Sequence, residues 1–287
     1  MPEGDTLYRT AAGLRPYLVG RTLLAARARV PGPRVDLVVG SEVLAVEAHG
    51  KNLLIRFANG LELRTHLRMN GSWHRYAPGE RWRRPPGRAA LVLEVAGAVA
   101  VCFDAPVVEL LESRAAALHP PLGGLGPDLC ADEFDSAEAV RRLRDPARAG
   151  LTIAEALLDQ GALAGIGNVY KSEVLFIERV DPFAPVEALD DVTLARLVAR
   201  SRALLAANRS SPVRVTTGPD GGGRDGMGPG AAPGGRLWVY GRAGRACRRC
   251  GTPIATRRHG ALPRSTAWCP RCQARGPALE PSAGEPG

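Results

Sequence analysis

The residues of this chain best suited to covalent chemistry stand at its start, in Met1-Pro2-Glu3. A small second residue lets an aminopeptidase remove Met1, and what remains is the free secondary amine of Pro2. An α-amino group has an unperturbed pKa of about 7.7–8, against about 10.4 for lysine, so near neutral pH much of it is unprotonated and nucleophilic. Such an amine attacks an aldehyde-level carbon and yields an iminium, an electron sink that acidifies the adjacent C–H. Glu3 stands beside it as a proton source. Proline makes up about 5% of residues in proteins, so the dipeptide gains weight only from what accompanies it.

Four of the six cysteines, Cys247, Cys250, Cys269 and Cys272, form two Cys-x-x-Cys pairs. Their spacing suits a tetrahedral Zn²⁺ site closed by two knuckles on a β-hairpin, with no coordination position left for catalysis, hence one structural ion. Cys102 and Cys130 read as buried free thiols. Between the knuckles lie Arg257, Arg258 and Arg264, and also His259, which reads as a surface residue rather than a ligand. A metal-stiffened hairpin rimmed with arginine suits insertion beside phosphates. From Arg236 to Arg275 there are ten arginines and no acid, whereas residues 1–235 carry only +1 of the net +9. Four thiolates and one Zn²⁺ remove two charges, and the stretch still keeps +8. A compact basic module beside a nearly neutral body is the footprint of nucleic-acid binding.

Three further stretches invite a role. The glycine-rich run Gln160–Asn168 precedes a helix, whose N-terminus presents unpaired N–H donors and the positive end of its dipole, a phosphate clasp or a merely tight turn. Lys51, in His49-Gly50-Lys51-Asn52, is one of two lysines among 38 basic residues; it reads as a compact ammonium at a glycine turn, or as a solvated hairpin end. Arg68-Met69-Asn70-Gly71 follows a strand and could project as a wedge into a base stack, although a lone methionine is more often core.

The elements that must position these residues can be read in turn. A length of 287 residues suggests two domains or one large one. No run of 18 apolar residues and no basic-then-apolar leader is present, which makes the cytoplasm the default expectation. Asp5–Leu18 has helical periodicity ended by Gly20. Strand-like runs follow at Thr22–Val30, Val43–Glu47, Leu53–Phe57, Leu61–Thr65, Ala90–Val95 and Val99–Phe103, with Asn59-Gly60 as a hairpin signal. Six or more short strands in this span suggest a β-sandwich or barrel. Helices are expected at Ser136–Arg144, from a Thr152–Glu155 capping box to Asp159, at Val169–Arg179, and from Asp190/Asp191 to about Asn208. Arg236–Gly241 reads as a β-like lead into the cysteine module.

Taken together, these stretches resemble the formamidopyrimidine-DNA glycosylase / endonuclease VIII family of base-excision repair, over roughly residues 2–273. The resemblance is carried by Met1-Pro2-Glu3-Gly4, the Gly50-Lys51 turn, Leu163–Asn168 with Val169–Glu173, Val239-Tyr240-Gly241-Arg242, and the Cys₄ finger. It implies an α+β multidomain fold: an N-terminal β-sandwich with its helix (1–120), a helix–two-turn–helix domain (131–209), a Gly/Pro-rich loop (210–235), a zinc-finger β-hairpin (236–275) and a disordered tail (276–287). The implied activity is removal of an oxidised base followed by strand cleavage. Pro2 would attack the sugar C1′ and Glu3 would donate a proton. Lys51 would touch phosphate and assist catalysis. Asn168 and Arg264 would grip the phosphates flanking the lesion, with Lys171 and Arg258 as further DNA contacts. Arg68, Met69 and Asn70 would fill the gap left by the flipped base. The catalytic set is thus Pro2, Glu3, Lys51 and Arg264. The implied partner is damaged, mainly duplex DNA, bound by a monomer, associated with the nucleoid and needing no small-molecule cofactor.

Asp5 and Thr6 stand where the family usually has proline and glutamate, which places the chain nearer the endonuclease VIII branch. The strand expected after Phe103, Asp104–Val108, lacks the arginine–aromatic pair that the formamidopyrimidine branch sets opposite the lesion. Oxidised pyrimidines are therefore expected over 8-oxoguanine. The alternatives are an 8-oxoguanine or formamidopyrimidine-specific glycosylase, and a non-catalytic zinc-finger protein that binds damaged DNA.

Overall fold

Helix α1 (Gly4–Leu18) buries Leu7, Ala11, Leu14 and Leu18, the face its periodicity marks, and ends before Gly20 at φ +74°. It packs on a pair of antiparallel sheets. One runs in the order β1 (Leu23–Ala28), β6 (Ala89–Val95), β7 (Ala98–Phe103), β5 (Ser72–Tyr76); the other in the order β2 (Val43–His49), β3 (Asn52–Phe57), β4 (Leu61–His66), β8 (Val107–Glu112). Leu53, Ile55 and Leu63 of one sheet share a core with Leu91, Leu93 and Ala100 of the other, the arrangement of a β-sandwich. A smaller cluster of Tyr76, Val92, Val99, Val101 and Phe103 has Trp82 packed against it. Cys102 and Cys130 are buried free thiols, and burial pushes both thiol pKa values up, that of Cys130 to about 12.

The structure, a computed structural model, describes residues 2–29, 31–217, 236–261 and 263–274. The expected tail and most of the expected loop, from residue 218 on, lie outside the described residues. The residues fall into two units: one runs to Asp135 and adds Gln160–Gly167 and Leu205–Pro212, the other takes the rest. The glycine-rich run thus belongs with the sandwich. Strand β5 escaped the sequence reading and the strand expected at Asp104–Val108 lies further on, as β8, because both are edge strands with half-buried residues and a weak alternation. The short helix α2 (Pro120–Gly123) closes this part of the chain.

The second unit contains α3 (Ser136–Leu143), α4 (Ile153–Ala156), α5 (Asn168–Ile177), α6 (from Asp191, an element ending at Ala207) and the hairpin β9 (Ala255–His259)–β10 (Arg264–Trp268). The capping box is present: Thr152 Oγ1 accepts from Glu155 N while the Glu155 carboxylate accepts from Thr152 N. Helix α4 stops at Ala156, short of the expected Asp159. Among the described residues no helix is long and apolar enough to cross a membrane.

Arg236–Gly241 is not a strand. Its backbone turns around one side chain, the fully buried Glu173 of α5, whose carboxylate accepts from Trp238 N (2.7 Å), Val239 N (2.9 Å) and Tyr240 N (2.8 Å) and from the Thr216 hydroxyl. Backbone donors spent on a carboxylate cannot form a ladder. Thr216 is buried too, so the expected loop is anchored at its start. Burial pushes the Glu173 carboxyl above the usual carboxylate range, opposed by these four donors. In Glu173→Gln an amide –NH₂ would face N–H groups that need an acceptor. The expected cost is about 1–3 kcal/mol, read as a lower denaturant midpoint with zinc content retained.

Candidate active site

In the first unit, Glu3 is fully buried ahead of α1 in an extended conformation, and its Oε2 accepts from Gly167 N at 2.8 Å. A Cβ on Gly167 would stand 2.5 Å from Glu3 Cδ, so only glycine admits the carboxylate. One residue on, Gly4 N donates to Gly165 O at 2.8 Å, and Gly165 holds φ +97°. Gln160 braces this loop, its Oε1 accepting from Gly165 N and its Nε2 donating to Ile166 O. The glycines read from sequence as a clasp for phosphate thus receive the chain's own first residues. Pro2 next to them is half-buried.

Lys51 sits in the two-residue turn between β2 and β3, after Gly50 at φ +57°. Asp128, which the sequence reading missed, holds this turn: its Oδ2 accepts from Gly50 N at 2.7 Å and its Oδ1 from Cys130 N at 2.8 Å. Asp128 also forms a backbone bridge with Ala164. One buried carboxylate therefore ties the Lys51 turn to the loop that cradles Glu3. The available signal was an acid directly after Gly126-Pro127. Asn52 fixes the other side of the turn, donating to His49 O and accepting from Arg64 Nε.

Arg68-Met69-Asn70 forms the turn between β4 and β5. Met69 is 61% exposed, whereas Leu67 before it is buried, so this methionine is not core. Arg68 takes φ +46°, a left-handed conformation unusual outside glycine, and its N–H donates to His66 Nδ1 at 3.2 Å. Burial, with Arg64, Lys51 and Arg68 nearby, pushes His66 down to about 4, which keeps Nδ1 an acceptor near neutral pH. From the far side Arg84 Nη1 reaches Asn70 O at 3.4 Å and Asp104 at 2.6 Å. Arg88 also pairs with Asp104, and it and Arg84 hold that carboxyl below the usual carboxylate range.

In the second unit, Asn168 is the first residue of α5 and is largely buried. Its Oδ1 accepts from Lys171 Nζ at 3.0 Å, which turns the amide –NH₂, the donor end, away from the lysine. Lys171, expected as a further DNA contact, is turned to the protein's interior. It is 1% exposed, and its ammonium also donates to Ser265 O (3.1 Å) and Thr266 Oγ1 (2.8 Å), so three acceptors take its three hydrogens. It ties β10 to α5 and orients Asn168. Arg264 begins β10 and Arg258 lies on β9; both are exposed, while Arg257 stacks on the Phe183 ring at 3.7 Å. His259 is half-buried, its ring packing edge-on against Phe183, and it is not among the grouped ligand residues.

The four cysteine sulfurs lie within 4.8 Å of one another, with pairs at 3.5 Å and 3.9 Å. Tetrahedral Zn–S bonds of about 2.3 Å require sulfurs about 3.8 Å apart, so the donor set fits the ion. Arg249 N and Cys272 N point at the Cys247 and Cys269 sulfurs, as expected around thiolates. Gln273 Nε2 donates to Val180 O, and Arg249 donates to the last carbonyls of α5, which fastens both knuckles.

Two outcomes follow. His66 is neutral when folded and ionises at about 6.5 when unfolded, so its share of stability is present above that pH and is lost as pH falls through about 4. Its imidazole NMR signals should keep neutral-ring shifts down to pH 5; a midpoint near 6.5 would refute the assignment. Cys269→Ser should leave less than one zinc per chain by metal analysis and lower DNA affinity, because the metal holds the small hairpin together.

Comparison with known proteins agrees with this fold. The formamidopyrimidine-DNA glycosylase N-terminal domain matches residues 1–106, its H2TH domain residues 125–210, and the zinc finger found in FPG and IleRS residues 244–275. The probable endonuclease 8 2 of Streptomyces coelicolor is 45% identical over 98% of this chain and 96% of its own length. A DNA-(apurinic or apyrimidinic site) lyase Nei2 of Mycolicibacterium smegmatis is 41% identical over 95% and 99%. The crystal structure of MutM (Fpg) from Thermus thermophilus superposes with a TM-score of 0.76 at 30% identity, covering 96% of this chain and all of that one. Matches across almost the whole length, with the cysteine cluster and the sandwich in place, establish that this chain belongs to the formamidopyrimidine-DNA glycosylase / endonuclease 8 family.

Proposed function

We propose that the protein is a bifunctional DNA glycosylase and AP lyase of base-excision repair that removes oxidised bases, pyrimidines foremost, from duplex DNA. The observation that carries this reading is the cradle of Glu3: a fully buried carboxylate, hydrogen-bonded to Gly167 N, one residue after Pro2. Once Met1 is removed, the Pro2 nitrogen attacks C1′ of the damaged nucleotide and the glycosidic bond electrons leave with the base. Glu3 supplies the proton that opens the sugar. The iminium then acidifies C2′–H, and successive eliminations expel the 3′ and 5′ phosphates. Lys51, held by Asp128 and Asn52, assists as a cation near phosphate.

DNA grip divides between the units. Asn168 offers amide donors and Arg264 an exposed guanidinium for phosphates, with Arg258 beside it. Lys171 acts as a positioning residue. Arg68, exposed Met69 and Asn70 fill the vacated stack, offsetting the few kcal/mol that unstacking costs. The preference for pyrimidines is supported by Asp104, whose ion pairs with Arg84 and Arg88 occupy the stretch that lacks an arginine–aromatic pair. The reading includes a monomer in the cytoplasm, one structural zinc and no catalytic cofactor.

Borohydride trapping on duplexes carrying thymine glycol, dihydrouracil, 8-oxoguanine or an abasic site tests it. A covalent adduct is expected, greatest with the pyrimidine lesions and the abasic site, and formed more slowly by Pro2→Gly, which should still bind damaged DNA. Wild-type protein that yields no adduct with any duplex, once mass analysis shows Met1 removed, would leave only a binding protein.

A further inference from the structure

The finger hairpin, held at its metal knuckles and by Lys171 on β10, is fastened at its tip as well. His259 Nε2 lies 2.8 Å from Thr152 Oγ1 and 3.2 Å from Glu155 Oε2. The single hydroxyl hydrogen of Thr152 goes to Glu155 Oε2 at 2.7 Å, so the imidazole supplies the hydrogen for its own contact with Thr152. The backbone N–H of Ala261 donates to the same carboxylate. Gly260, between them, holds φ +90°, and a Cβ on it would stand 2.8 Å from Glu155 Oε1. Three consecutive residues, His259, Gly260 and Ala261, thus close on one carboxylate of the α4 capping box. Burial pushes that carboxyl up, but Thr152, His259 and Ala261 together outweigh it, and Glu155 sits below the usual range.

His259 is also the cross-strand partner of Arg264. The metal site lies at the other end of β10: Cys269 stands five positions after Arg264, which at ~3.3 Å per residue is about 16 Å. Lys171 holds β10 at Ser265 and Thr266, but a tip without contacts of its own would let Arg264, at the end of that strand, swing with the turn. We propose that Glu155 and His259 clamp the hairpin tip and thereby set the position of Arg264, acting as positioning residues for its hold on DNA phosphate. The inference rests on the phosphate-binding reading of Arg264 given above.

The test uses full-length, zinc-loaded protein and a duplex with an abasic site, comparing His259→Ala, Glu155→Gln, Arg264→Ala and the His259→Ala/Arg264→Ala double variant. Glutamine keeps an oxygen for the capping box but loses the charge that faces His259. Both clamp variants should raise Kd by about the factor seen for Arg264→Ala and flatten the salt dependence by about one unit of slope. The loss should appear in half-saturating DNA rather than in the trapping rate at saturation. The double variant should be no worse than Arg264→Ala alone, because contacting residues that serve one contact are not additive. Zinc should stay at one per chain.

Unchanged Kd in both clamp variants, additive losses in the double variant, or loss of zinc in both would overturn the clamp while leaving Arg264 as a phosphate contact. No effect of Arg264→Ala would instead remove the phosphate reading itself, and the clamp with it.

Discussion

The hydrogen bond from Gly167 N to the Glu3 carboxylate is the constraint on which the rest of the first unit depends. An unpaired carboxylate is costly to take out of water, and a backbone N–H aimed at it offsets part of that cost. The bond forms only because residue 167 has no Cβ and because Gly4, also without one, lets the chain lie against Gly165. Asp128 extends the same logic to Lys51 through the backbone of Gly50 and Ala164. The residues proposed for chemistry are thus held by main-chain groups and one interior acid, with few rotatable bonds among them. Preorganisation of that kind suits a reaction in which a nucleophile and a proton donor must meet one sugar carbon.

In the second unit, positive charge serves two ends. Lys171 and Arg249 are spent internally, the one on β10 and Asn168, the other on the carbonyls that end α5. Arg258 and Arg264 stay exposed on the hairpin that those internal cations secure. Arginines not used for architecture are therefore presented on an ordered strand rather than a loose one, so less side-chain and backbone entropy is lost when phosphate is met.

Where sequence and structure agree, the signal is local. Asn59-Gly60 marks the β3–β4 hairpin because Gly60 accepts φ +81°. Thr152 and Glu155 mark a helix start because both partners of the capping box lie within one turn. The four cysteines mark the finger because metal geometry fixes their spacing. Where the two part, the deciding partner is distant in the chain. Gly50 and Asp128 are 78 positions apart, Thr152 and His259 are 107, and Lys171 and Thr266 are 95. Nothing near Lys171 says that three acceptors on other residues await it, and nothing in Arg236–Gly241 says that its amides belong to a glutamate on a helix.

The two cysteines outside the finger carry a last consequence. Cys102 and Cys130 are buried, and their thiols are held in the protonated form far above neutral pH. Peroxide attacks thiolates, not thiols. Among the described residues of the first unit no thiol is therefore easily oxidised, and the sulfur there that an oxidant can reach is the thioether of Met69, 61% exposed on the turn between β4 and β5.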